Sequence, residues 1–156
     1  MPTHREIRAK IAEKIFALDN AVAVHEYERY TRNMSDLVAM YKSGDAENPR
    51  LHGWYVRLVA TKEVFVNVGR WSIWHTWRMR GFMALDDADQ TELLFDDAIE
   101  SIRDDFREDM DLGGLVAECV AENGESGVQM ISSGPVMFAG VLCHSAELGL
   151  TTQHLQ

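Results

Sequence analysis

In residues 70–83, mainly apolar and aromatic side chains alternate with a second, more polar set, and this alternation restricts the folds open to the chain. One set of alternate positions is mainly aromatic and apolar: Trp71, Ile73, His75, Trp77 and Met79. The positions between them are Ser72, Trp74, Thr76, Arg78 and Arg80. Successive side chains of a β-strand point to opposite sheet faces, so this pattern predicts a strand with Trp71 and Trp77 facing a core. Trp74, Arg78 and Arg80 would then share the outer face.

Residues 3–18 are predicted to form a helix that lies on a surface. Thr3 and Glu6 have the spacing of a capping box, in which each side chain bonds to the other residue's backbone N–H. The positions that follow include a stripe at helical spacing: Ile7, Ile11, Ala12, Ile15 and Phe16. Such a stripe faces a core while the charged positions between its members face water.

A second helix is predicted over residues 89–110. Its apolar positions fall three or four apart, as one buried helix face requires: Leu94, Phe95, Ala98, Ile99, Ile102 and Phe106. Leu112, Gly113 and Gly114 are expected to end this helix, because glycine readily adopts the left-handed geometry of a C-terminal cap.

The remaining segments are interpreted mainly as strands. They are residues 21–30, where the signal is weak, 51–60 and 63–68, which are adjacent strands or one bent strand, 128–132 and 136–148. Ser133, Gly134 and Pro135 are expected to join the last two as a hairpin, and residues 115–121 to add a short helical turn before them. The order of elements predicts a single α+β domain over 1–156, with two main helices packed on one face of a mostly antiparallel sheet.

Composition narrows the possible partners. Fifteen Lys and Arg residues against 25 Asp and Glu residues give a net charge of −10, which opposes non-specific binding to phosphate backbones. The longest uncharged stretch, residues 127–146, is broken by Ser, Gly, Pro and His and makes a poor membrane-spanning helix. No secretion signal is expected at the N-terminus. Cys119 and Cys143 are isolated in sequence and are interpreted as free thiols in a reducing compartment.

The sequence lacks recognisable catalytic motifs. No phosphate-binding glycine loop and no G-x-S-x-G motif is present, and the six histidines are scattered. The acidic clusters have the spacing of a solvated helix face, although a small hydrolase using Asp86 and Asp89 is a second hypothesis. We therefore predict no enzyme activity, no cofactor and no metal site.

The cluster of Trp71, Trp74 and Trp77 with neighbouring arginines is the most unusual local feature. Core packing, a protein interface and stacking on nucleic acid are all compatible with such a cluster. We expect Trp74, Arg78 and Arg80 to make contacts with other molecules. The polar segment from Lys42 to Arg50 is expected to be an exposed loop that contributes to the same interface.

The whole pattern resembles the tail terminator proteins of long-tailed phages, the minor tail protein U-like family. The resemblance lies in the opening helix Thr3-His4-Arg5-Glu6-Ile7-Arg8-Ala9, the aromatic-rich middle sheet, one long acidic helix and a closing hairpin. It implies a structural virion protein that forms a six-membered ring at the head-proximal end of the tail tube, in virions assembled in the host cytoplasm. Such a ring ends tube growth, contacts the tube protein and the head–tail connector, and lets DNA pass through an acidic lumen.

Other assignments remain open at this stage. Neck, tail-completion and tail-tube proteins of phages share this general description. A non-viral protein-binding module that uses the strand carrying Trp74, Arg78 and Arg80 is a further alternative. Neither a membrane partner nor a specific nucleic acid is expected.

Overall fold

The structure of the protein, a computed structural model, describes residues 1–18, 23–29, 39, 42–43, 50–86, 90–138 and 140–156. The helices are α1 (His4–Leu18) and α2 (Thr91–Glu108). The strands are β1 (Ala23–His25), β2 (Lys42–Ser43), β3 (Arg50–Asn67), β4 (Arg70–Ala84), β5 (Gln129–Phe138) and β6 (Val141–Leu155). No helix within these residues is long and apolar enough to cross a membrane.

The strands build a sheet with the order β1-β3-β4-β6-β5, and β2 pairs with the start of β3. Strands β1 and β3 run parallel, whereas the other described pairs are antiparallel. Residues of both helices join the same hydrophobic core on one face of this sheet. The predicted class, α+β with two helices on one face of a mostly antiparallel sheet, is confirmed.

The longest elements are β3 and β4, which form one extended hairpin. Their register runs from His52 opposite Met83 to Asn67 opposite Arg70, with a chain reversal at Gly69. Residues 51–60 and 63–68 are therefore parts of one strand, the second of the two arrangements that the sequence allowed. The register shifts between Leu58 and Ala60 and again between Phe65 and Asn67.

Helix α1 follows the prediction closely. The Thr3 backbone N–H donates to Glu6 Oε2 at 2.6 Å, and the Glu6 backbone N–H donates to Thr3 Oγ1 at 3.2 Å, which completes the capping box. The bond from the Thr3 backbone N–H, followed by a hydrogen bond from the Thr3 side chain, lowers the pKa of Glu6, because both stabilise its carboxylate form. The stripe of Ile7, Ile11 and Ile15 is buried, but Phe16 lies outside it and is exposed.

Helix α2 is shorter than predicted. It ends at Glu108, with Asp109 as its C-cap, and the left-handed residues Leu112 and Gly113 belong to the turn beyond it. The prediction that Leu94 belongs to the buried stripe was wrong, since its side chain is 52% exposed. Thr91 occupies the buried position one turn before Phe95 instead.

Lys14 ties the two helices together. Its Nζ lies 2.7 Å from Asp105 and 2.8 Å from Asp109, both near the end of α2. Burial alone would lower the pKa of Lys14, but its hydrogen bonds to the two carboxylates outweigh burial and raise it. The bond from Lys14 in turn lowers the pKa of Asp109. The ion pairs thus fix the contact between two surface helices whose apolar stripes face the sheet.

The C-terminal part of the chain differs from the prediction in two respects. Ser133, Gly134 and Pro135 do not form a turn, because β5 runs through them and the reversal falls just before β6. Residues 115–121 contain turns and isolated bridges, Glu118 to Gln153 and Val120 to Ser126, in place of a helical turn. Pairing with β6 outweighs the turn tendency of a Gly-Pro dipeptide here, and Pro135 is tolerated because β5 is an edge strand.

The core depends on a close approach at Gly81. Trp54 lies opposite Gly81 in the β3–β4 register and is fully buried. A Cβ atom at Gly81 would lie 2.6 Å from the Trp54 ring. The missing side chain therefore provides the space that the indole occupies, and the Trp54 ring packs against Phe95 of α2 at a ring separation of 5.8 Å. On the opposite sheet face, a smaller core contains Leu51, Tyr55, Phe82 and Cys143.

We expect Gly81→Ala to lower the free energy of unfolding by roughly 1–3 kcal/mol, because the added methyl group displaces a buried indole in a close-packed core. Gly134→Ala is the matched control, since nothing lies within 4 Å of a Cβ atom at this strand glycine. Its effect should stay within about 0.5 kcal/mol. Urea unfolding of both variants measures the difference, and equal effects would contradict the packing described here.

Candidate interaction surface

The residues predicted to form an interface, Trp74, Arg78 and Arg80, do share one sheet face, the face opposite the helices. All three are only partly exposed. Arg78 Nε lies 3.8 Å from Glu147 Oε1, and Arg80 Nε donates to Ser145 Oγ at 3.4 Å. Each guanidinium group thus already has a partner on β6, which leaves less of it available to a second molecule.

The predicted contact segment from Lys42 to Arg50 is only partly described. Lys42 and Ser43 form β2 and pair with Leu51 and Arg50, so the ends of this segment are strand and not loop. Residues 44–49 lie outside the described part of the chain. Pairing with the buried start of β3 explains the strand at Lys42.

The neighbouring tryptophans have different environments. Trp77 is fully buried, and its indole N–H donates to Thr152 Oγ1 at 2.9 Å. Trp71 is 44% exposed and packs edge-on against Phe65, with ring centres 5.3 Å apart. The prediction that Trp71 faces the core was therefore wrong. The alternation of side chains is as predicted, but neither helix covers this end of the strand.

The outer end of the β3–β4 hairpin, residues 59–71, carries the most exposed apolar surface, and we call it the hairpin tip. Every residue from 59 to 71 is exposed. Its large apolar members are Val59, Val64, Phe65, Val66, Val68 and Trp71. Val68 at the turn is 95% exposed. The sequence does not reveal this surface, because its valines and aromatics predict a strand equally well whether the strand is buried or exposed.

One edge of the hairpin tip is also unpaired within the described residues. β1 pairs with β3 only from Gly53 to Tyr55, and β2 pairs only with Arg50 and Leu51. Glu28 extends this contact as far as Arg57, at 3.5 Å. Beyond that point, no described segment pairs with the outer side of β3. Unpaired N–H and C=O groups and exposed apolar side chains thus occur together on the same segment.

Two buried histidines lie at the root of the hairpin tip. The rings of His75 and His154 are 5.4 Å apart, and Thr61 Oγ1 lies 2.8 Å from His75 Nδ1, which joins β3 to β4. The buried Nδ1 of His154 has no hydrogen-bond partner in the described part of the chain. Burial is the main cause that lowers the pKa of both rings, and the nearby His154 and His4 lower the pKa of His75 further.

The side chains with catalytic potential in the sequence are two cysteines and the carboxylates of Asp86 and Asp89. Cys119 and Cys143 are free and buried, and burial raises the pKa of Cys119 to about 12 and of Cys143 to about 11. Both thiols are therefore protonated at neutral pH. Of the carboxylates proposed for a hydrolase, Asp86 is partly buried and Asp89 lies outside the described residues. No group of three or more His, Cys, Asp or Glu side chains within the described ranges could hold a metal ion.

We expect the protein to lose stability as pH falls below about 6.5, the ordinary histidine pKa. A buried histidine with a lowered pKa stays neutral in the fold while the unfolded chain takes up a proton, so acid favours unfolding. Urea midpoints at pH 7.5 and 5.5 measure this loss. His154→Leu should reduce it, because this change removes one of the two buried rings. An unaltered pH dependence in His154→Leu would contradict the assignment.

Comparison with known proteins adds no family assignment. The chain matches no protein-family model, and no curated protein matches it. The likeness to tail terminator proteins consequently rests on the opening helix and on the order of the elements. Function therefore has to be argued from the surfaces that the fold presents.

Proposed function

We propose that this protein is a structural subunit of a phage tail, a tail terminator that assembles into a ring at the head-proximal end of the tail tube. In this role it ends tube polymerisation and joins the tail to the head connector, without catalysing a reaction. The observation that carries the proposal is the hairpin tip, which exposes six large apolar side chains and is unpaired along one edge in the described structure.

The exposed area of the tip supports self-association. Soluble monomers rarely expose a contiguous apolar patch of several large side chains, and such patches commonly mark interaction sites. Full burial of one Val or Phe side chain is worth about 1.5–3 kcal/mol. Association also costs translational and rotational freedom, so several side chains must be buried together. The tip offers Val64, Phe65, Val66, Val68 and Trp71 within one short segment.

The charges of the tip disfavour the two central registers of a two-fold dimer formed by its edge strand. When two copies of one edge strand pair antiparallel about a two-fold axis, residues opposite each other have their side chains on the same sheet face. The axis therefore passes between one residue and the same residue of the copy. Centring the axis on the run 60–65 places Lys62 opposite its copy or Glu63 opposite its copy. Like charges directly opposite each other are destabilising. The register shifts at both ends of this run further interrupt regular pairing.

A tip that binds a different surface on the next subunit makes a heterologous contact. Such heterologous contacts generate closed rings when the rotation between subunits closes, and open filaments when it does not. The tip is thus compatible with ring assembly, and its central registers disfavour an isolated two-fold dimer.

The acidic character of the chain is compatible with DNA passing through such a ring. Most acidic residues of α2 lie on its exposed side: Glu92, Asp96, Asp97, Glu100, Asp104 and Glu108. This face and the net charge of −10 repel phosphate groups, so DNA would pass without adhering.

The protein-binding module based on Trp74 has less support. Trp74 is only partly exposed, and Arg78 and Arg80 already contact Glu147 and Ser145. Neck, tail-completion and tail-tube proteins remain alternatives within the same class, because a self-associating tip suits each of them.

The decisive variant combines Phe65→Ser with Val68→Ser, which removes apolar area from the tip without touching either core. We expect native mass spectrometry to show a ring of about six copies for the unaltered protein, alone or with tail tubes, and monomers for the double variant. Phe16→Ser is the control, since Phe16 is 56% exposed on α1 and Phe65 is 55% exposed. An unaltered protein that stays monomeric and leaves tube length unchanged would contradict the proposal. Rings that do not limit tube length would favour another neck or tail role.

A further inference from the structure

A second apolar surface lies at the end of the sheet remote from the hairpin tip. Its exposed members are Leu85, Leu93, Met137 and Leu142. The Leu85 backbone N–H donates to the Leu142 carbonyl at 3.1 Å, and Met137 pairs with Leu142 across β5 and β6. The full length of β4 separates this surface from the tip, which is about 50 Å for 15 residues.

This second surface contains a cleft. Its volume is about 370 Å³, and its lining residues are Leu85, Gln90, Thr91, Glu92, Leu93 and His144. The base is held by several bonds: Thr91 Oγ1 lies 2.8 Å from His144 Nε2 and accepts from the Asp86 backbone N–H at 2.9 Å. The His144 ring also stacks near Phe95, at 6.4 Å between centres. The cleft is thus braced by the start of α2 and by β6.

We propose that this cleft receives the hairpin tip of a second copy of the chain. The inference rests on the proposed function, because it names the two surfaces through which the ring forms. Val68 would enter between Leu85 and Leu93, and the aromatic pair of Phe65 and Trp71 behind it would pack against the rim of the cleft. Val68 and Gly69 form a narrow two-residue turn that leads the tip into the cleft.

Charge complementarity favours this occupant. Arg70 is exposed at the tip and has no carboxylate within ion-pair distance among the described residues. Glu92 is exposed at the rim of the cleft, on the first turn of α2. Docking would bring these opposite charges together around an apolar centre, the usual arrangement of a protein interface. Since tip and cleft lie at opposite ends of one subunit, each copy could bind two neighbours in a continuing series.

Cross-linking two different chains, each with one introduced cysteine, tests the contact. One chain carries Val68→Cys and the other carries Leu93→Cys, while the native thiols Cys119 and Cys143 are buried and protonated. Under mild oxidation we expect disulfide-linked pairs in the mixture and few in either chain alone. Replacing the Leu93→Cys chain by a Phe16→Cys chain is the control, and it should abolish cross-linking.

The outcomes separate this inference from the proposed function. Rings without the mixed disulfide would overturn the tip-to-cleft contact and leave the ring proposal standing. A subunit that never assembles would overturn both. Efficient cross-linking of the Val68→Cys chain alone would indicate a two-fold tip contact and would also overturn the inference.

A charge exchange provides an independent measurement. Arg70→Glu should weaken association at least several-fold, and adding Glu92→Arg in the same chain should restore most of it. Sedimentation equilibrium of the three proteins measures the association constants. If Glu92→Arg does not restore association, Arg70 contacts a group other than Glu92, and the proposal is overturned.

Discussion

The architecture depends on a mismatch in length between its two layers. A helix rises about 1.5 Å per residue and a strand about 3.3 Å, so the 18 residues of β3 extend about twice as far as the 18 residues of α2. The helices can cover only part of the β3–β4 hairpin. The covered part forms the core around Trp54, Trp77 and Gly81, and the uncovered part becomes the hairpin tip. The same ladder therefore supplies both the stability of the subunit and its exposed apolar surface.

Much of the fold could be predicted because its local signals agree with the tertiary structure. The capping box of Thr3 and Glu6, the isoleucine stripe of α1 and the alternation along β4 each identify an element and its buried side. The predictions failed where long-range pairing decides the outcome. Ser133, Gly134 and Pro135 have the composition of a turn, yet β6 holds them in a strand. Leu94 matches the helical stripe of α2, but Phe95 and Thr91 define the face that contacts the sheet.

The candidate surface was harder to predict than the fold for a physical reason. Alternation reports which side chains share a face, and it does not report where along a strand the covering layer ends. Trp71 and Trp77 have the same parity in β4, yet one is exposed and the other buried. Arg78 and Arg80 were correctly assigned to the face opposite the helices, but their partners on β6 could not be known before the strand order was known. The cleft beside α2 combines Leu85, Leu93 and His144, which come together only in the folded chain.

We propose that the hairpin tip is buried when copies of the chain assemble. Hydrogen–deuterium exchange of the backbone amides in residues 59–71, compared between monomeric and assembled fractions of the same preparation, measures this burial. These amides should exchange more slowly in the assembled fraction than in the monomer. Equal exchange in both fractions, with protection confined to another surface, would contradict it.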